Sequence, residues 1–161
     1  QLAAALGLRF AFASHFAPRL LHQAIDLYRS RFRPTVALAE PWVMIGVPLI
    51  AAPTDDEAGF LATSVYQRVL GILHGDRRCL PPPVENFMAT LHPQERAGID
   101  EFLSAAVIGG PRTVADGLAE LQRATQADEL ILVCDIFDAD LRLRSLDIAA
   151  AACGLQARYR G

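Results

Sequence analysis

Ser14 and His15 close the apolar run in "RFAFASHFAP" and are the first candidates for chemistry in this chain. A neutral imidazole offers one donor and one acceptor nitrogen. His15 can therefore act as a general base, donate to a substrate or cofactor carbonyl, or be structural. No G-x-S-x-G surrounds Ser14, so nothing signals the strained turn of a nucleophilic serine. A second group, Cys134, Asp135, Ile136, Phe137 and Asp138, follows the apolar run "ELILV". Asp135 either orients His15 or caps the next helix, and capping is the preferred reading; Asp138 is itself a plausible N-cap. Cys134 reads as a small buried side chain rather than a reactive thiol. A third place, residues 50–54, ends another apolar run. Gly109-Gly110-Pro111 could present N–H groups to a phosphate, but one Gly-Gly pair reads better as the entry to a helix. There is no G-x-G-x-x-G and no P-loop. Cys79, Cys134 and Cys153 are scattered, with no CxxC and no Cys/His spacing suited to zinc, so no metal site is expected. His22, His74 and His92 receive no role.

These residues matter only if the chain sets them at one end of a sheet. "QLAAALG" is a good helix former stopped by Gly7, a natural residue beyond a helix C-terminus. "RFAFAS" predicts a strand. "PRLLHQAIDLYRSRF" predicts a helix with Pro18 in its first turn and Leu21, Ala24, Ile25, Tyr28 and Phe32 on one face. "PWVMIGVPLIAA" is a near-continuous apolar run, as a parallel strand covered on both faces requires. Pro48 lacks an N–H, so a bulge or an early end is expected there. "TDDE" predicts a capping box at Thr54 and Glu57, followed by a helix through Leu61, Val65, Val69, Ile72 and Leu73. Three consecutive prolines then force an excursion over roughly residues 75–93. A short helix over "HPQERAGIDEFLSAA" follows, then a helix opened by Pro111, a third clear strand in "DELILVCDI" and a closing helix after Asp138. Alternating strands and helices imply parallel pairing with right-handed crossovers. Ligands of such sheets meet the carboxyl ends of the strands, where Ser14, residues 50–54 and residues 134–138 all fall. About three strands would leave two open edges. Since the chain also enters on a helix, the expected fold is the C-terminal portion of a larger α/β barrel or doubly wound domain.

Composition agrees. Of 161 residues, 52% are hydrophobic, enough to cover elements on both faces, and the net charge is −3. The charges are mixed along the chain, with no basic block to suggest nucleic acid. The apolar runs are shorter than the about 20 residues needed to cross a bilayer, and the N-terminal segment lacks the marks of a signal peptide. The unpaired cysteines suit a reducing, cytoplasmic setting.

Taken in order, "LAAALGLRFAFASHFAP", "YRSRFRP", "AEPWVMIGV", "AAPTDDEA", "LPPPVE", "VIGGPRTVADGL" and "ADELILVCDIFDADLRLRS" resemble the C-terminal half of luciferase-like flavin monooxygenases, nearest the bacterial luciferase-like class. The resemblance spans nearly the whole chain. It implies a TIM (β/α)8 barrel, of which this chain holds about three parallel strands with their helices, all of residues 1–161 forming one C-terminal half with a proline-rich insertion around 75–93. It further implies reduced FMN as cofactor, O2 as co-substrate, a small organic substrate and a separate flavin reductase. The absent N-terminal half of the barrel would supply much of the flavin phosphate site, and a homodimer is possible. "SHFAP" matches family positions beside the flavin, which makes Ser14, His15 and Phe16 cofactor-proximal, with His15 as the catalytic candidate. Asp135 and Phe137 fall at the barrel mouth. Where the family has G-[ST]-P, this chain has Gly109-Gly110-Pro111 and so lacks a capping hydroxyl. Two alternatives stay open: an F420-dependent oxidoreductase of the same superfamily, and a non-catalytic half-barrel that acts by assembly.

Overall fold

A computed structural model describes residues 1–14, 17–76 and 79–155. Four parallel strands form one sheet: β1 (Phe10–Phe12), β2 (Val43–Ala51), β3 (Val107–Gly109) and β4 (Glu129–Val133). The longest strand, β2, pairs with all the others. Its first residues match β1 (Phe10 opposite Val43), its middle matches β4 (Met44 opposite Glu129 through Pro48 opposite Val133), and its last three match β3.

Helices connect and cover these strands: α1 (Leu2–Ala5), α2 (Leu21–Arg31), α3 (Asp55–Leu73), α4 (Pro93–Phe102), α5 (Pro111–Thr125) and α6 (Ala139–Ala152). The apolar run of β2 is explained by its two faces. Val43, Ile45, Val47, Leu49 and Ala51 belong to one core, with Ile25 and Tyr28 of α2, Val114 and Leu118 of α5 and Ala149 of α6. Ile50 and Ala52 belong to a second core, with Leu61, Val65 and Val69 of α3 and Ile99 of α4. Every residue of β2 is buried or half-buried, so no polar alternation appears in the sequence.

Three local expectations need correction. The strand β2 does not bulge or stop at Pro48 but runs through to Ala51. Position 48 lies past the last residue paired with β1 and before the first paired with β3, and it faces the final residue of β4, so the missing donor falls where the ladders change partners. The segment before the Gly-Gly pair is a fourth strand, β3, and not merely a helix entry. The capping box at α3 is half made: the Thr54 hydroxyl accepts from Glu57 N at 3.1 Å, while the Glu57 carboxylate lies 3.5 Å from the Arg144 guanidinium. A reciprocal box does form at α4, where His92 Nδ1 accepts from Gln94 N and Glu95 Oε2 accepts from His92 N.

Gly7 ends α1 as expected, with φ +61°. Gly7 N donates to Ala4 O and Leu8 N to Ala3 O, the pair of bonds that closes a helix through a left-handed residue. Among the described residues no helix is long and apolar enough to cross a membrane.

Candidate functional site at the carboxyl ends of the strands

A cleft of about 710 Å³ opens where β2, β3 and β4 end. Pro48 and Ile50 of β2, Ile108 of β3 and Val133 of β4 form its floor. Val65, Arg68, Val69 and Ile72 of α3 form one wall, and Phe102, Leu103 and Ala106 the other. Positions 65, 68, 69 and 72 recur at helical spacing, so a single face of α3 looks into the cleft. Three of those four residues are apolar. The fourth, Arg68, donates from a terminal guanidinium nitrogen to Asp135 Oδ2 at 2.6 Å. Arg68 and Asp135 are the only charged residues among the described lining, and their side chains are 32% and 37% exposed.

Asp135 is thereby placed. It neither caps α6 nor, within the described residues, contacts a histidine; Asp138 supplies the cap, its Oδ1 accepting from Asp140 N and Leu141 N. The preferred capping role for Asp135 is corrected on that ground, because Arg68 holds the carboxylate at the cleft. Phe137, 53% exposed, is absent from the cleft lining, while its neighbour Ile136 is buried in the second core. Cys134 is half-buried, with Sγ 3.4 Å from the Ser145 hydroxyl, and burial raises its thiol pKa. Ser145 in turn accepts from Ala51 N at 2.8 Å, which ties the end of β2 to α6.

Ser14 is fully buried and donates its hydroxyl to Gly46 O at 2.5 Å. This bond fixes the end of the segment after β1 against β2, immediately before His15 and Phe16. Those two residues lie outside the described residues. Thr54 caps α3, as read from the sequence. The Gly109-Gly110 turn is not open to a phosphate: Gly110 N donates to Asp55 Oδ1 at 2.6 Å. That bond, with a second from Thr113, holds the Asp55 carboxyl below the usual carboxylate range. A Cβ on Gly109 would stand 2.5 Å from Thr113 Cγ2 and 2.7 Å from Asp55 Oδ1, so the close crossing of these two helix starts requires glycine there. Among the described residues no cluster of side chains is suited to a metal ion.

The sequence reading missed Arg68. Its one signal is an arginine inside the apolar stripe of a helix, which also reads as a solvated edge.

An apolar cleft with one polar pair at the carboxyl ends of parallel strands is the placement by which α/β proteins receive small organic molecules. Comparison with known proteins narrows the class. No family model matches the chain. Over 149 residues it is 43% identical to a luciferase-like monooxygenase of Escherichia coli strain K12, an alignment that takes in 92% of this chain and 44% of that protein. The crystal structure of apo-MsnO8 superposes with a TM-score of 0.78 at 30% identity, covering 97% of this chain and 48% of the other. The oxygenating constituent of 3,6-diketocamphane monooxygenase from Pseudomonas putida, a type II Baeyer-Villiger enzyme solved with FMN, shares the fold with a TM-score of 0.56 at 14% identity, covering 96% of this chain and 45% of the other. The chain is therefore a homologue of luciferase-like monooxygenases, and the resemblance read from its sequence is borne out. It spans about 44% of the length of the curated relative it matches.

Proposed function

We infer that this chain is the C-terminal part of a (β/α)8 barrel that oxygenates a small organic substrate with reduced FMN and O2. The observation that supports this best is the apolar cleft at the carboxyl ends of parallel strands, in a chain 43% identical to a luciferase-like monooxygenase. When bound, the reduced flavin supplies the electrons that activate O2.

The described residues fit such a group in part. The apolar lining suits a ring face or an organic substrate and keeps water from it. Among the described lining residues the one cation, Arg68, is neutralised by Asp135, and the Gly110 N–H is given to Asp55. The phosphate site is accordingly assigned to the rest of the barrel.

The chain's own contribution is positional. Ser14, anchored on Gly46 O, fixes the end of the segment that follows β1. His15 and Phe16, next in sequence, are the residues we assign beside the flavin. His15 is the candidate proton donor or acceptor. A flavin reductase and the N-terminal half of the barrel are the implied partners, and a homodimer is compatible with the reading. The setting proposed is cytoplasmic.

The test is flavin-dependent oxygen consumption by the full-length gene product supplied with a reductase. His15→Ala should reduce turnover by 10²-fold or more if the imidazole moves a proton. Unchanged turnover in that variant removes His15 from catalysis. Comparing retention of FMN and F420 separates this reading from hydride transfer by a deazaflavin. The assembly alternative draws on one feature, the exposed Ile131 on β4, at 49%. A well-behaved monomer in sedimentation would rule it out.

A further inference from the structure

We propose that the Arg68–Asp135 pair selects the polar end of the molecule in the cleft, admitting a neutral hydrogen-bond-accepting oxygen on an otherwise apolar body and rejecting a charged head of either sign. The inference rests on the reading that the cleft receives the organic substrate, but it concerns only that site.

Among the described residues lining the cleft, Arg68 and Asp135 are the only charged ones, and at 2.6 Å they neutralise one another. A carboxylate approaching Arg68 would share the guanidinium with Asp135 and leave the group with a net negative charge. An ammonium at Asp135 would leave it net positive. Both excess charges would lie against Ile50, Val69 and Ile108, where no solvent compensates them fully. A neutral oxygen meets no such cost. A guanidinium carries five N–H donors, and among the described residues one of its nitrogens is engaged, by Asp135. As far as the described residues go, the remaining donors are open to an alcohol, ether or carbonyl oxygen.

Geometry supports this placement. Arg68 stands in the apolar stripe of α3 between Val65 and Ile72, and Asp135 follows β4 by two residues. The pair therefore joins helix and sheet at the cleft wall, and an apolar chain lying along Ile50 and Ile108 would bring one end to it. The volume of about 710 Å³ suits a molecule of drug size or smaller.

Three eight-carbon probes of one length test the proposal on the full-length gene product: 1-octanol, octanoate and octylammonium at pH 7. Binding is read from the methyl NMR signals of Ile50, Ile72 and Ile108, with no flavin present. Octanol should bind at least tenfold more tightly than either ion. In Asp135→Asn the preference should move to octanoate, because Arg68 is then unneutralised. In Arg68→Met it should move to octylammonium. Octanoate or octylammonium binding as tightly as octanol in the unaltered protein would overturn the proposal, whether or not either variant folds. Unchanged preference in both folded variants would do the same. If the cleft discriminates as stated while the protein neither retains FMN nor consumes O2, the selectivity stands and the oxygenation reading fails.

Discussion

Asp55 sits at the first turn of α3 yet spends its carboxylate on the start of α5, 55 residues away, where Gly110 N donates to it at 2.6 Å. The Gly110 N–H and then the Thr113 hydroxyl lower its pKa in the folded protein. A carboxyl depressed on folding adds stability that is present above its unfolded value, near 3.9, and lost as pH falls through the folded value. Asp55→Asn should therefore lower the urea midpoint at pH 7, and its difference from the parent should shrink as pH is taken below about 4. A difference constant from pH 7 to pH 3 would show that the charge plays no part. Cys134 gives a second residue-scale prediction. Burial raises its thiol pKa, whereas Cys79 and Cys153 are exposed, so iodoacetamide at pH 8 should label Cys134 last. Labelling of Cys134 as fast as the other two would contradict its burial. Ser64 is the one buried side-chain polar atom without a partner among the described residues. Removing an unsatisfied hydroxyl is neutral or stabilising by about 1 kcal/mol, so Ser64→Ala should not lower the midpoint. A loss instead would mean that the hydroxyl finds a partner beyond these residues.

At the scale of elements, helix ends decide how the layers meet. Gly7 combines a left-handed backbone with close contact: a Cβ there would stand 2.4 Å from Thr35 Cγ2 and 2.6 Å from Arg33 O. Gly7→Ala should cost more than about 1 kcal/mol in chemical denaturation, since strain and clash add. Gly110 is different. Its Cβ would meet Asp55 Oδ1 at 3.4 Å and Pro53 O at 3.5 Å, ordinary contacts, so Gly110→Ser should fit and gain a few tenths of a kcal/mol from the restored cap. The strands β1, β2 and β4 and the helices α2, α3, α5 and α6 were legible because each carries its own period, cap or breaker. The strand β3 was not, since three residues hold no period and its pairing is set by Leu49, Ile50 and Ala51 far upstream. Continuation of β2 through Pro48 was illegible for a related reason: local chemistry says that a donor is missing, and only the register says that no neighbour asks for it. The box at His92 was present in the sequence as H-x-x-E, but an imidazole is a less familiar cap than a hydroxyl. At the site, Ser14 and Asp135 could be placed at strand ends, while their partners could not. Gly46 lies 32 residues from Ser14 and Arg68 lies 67 residues from Asp135, and such distances are closed by topology rather than by spacing.

At the scale of the molecule, one sheet face is covered by α2, α5 and α6, while Ile131 remains 49% exposed on β4. An exposed apolar position on a parallel sheet is unusual, because such sheets are normally buried on both faces. On the reading proposed above, the rest of the barrel covers it and supplies the phosphate contacts. The 161-residue chain alone should then bind FMN weakly or not at all in a fluorescence titration, and a micromolar dissociation constant would show that these residues hold the cofactor unaided. The measurement that bears most directly on function is the reoxidation of reduced FMN mixed with O2 in the presence of saturating full-length protein. The account predicts a time course clearly different from that of free flavin, because a bound ring in an apolar, water-excluding site meets O2 on the protein's terms. Reoxidation at the free-solution rate, with the flavin demonstrably bound, would contradict it.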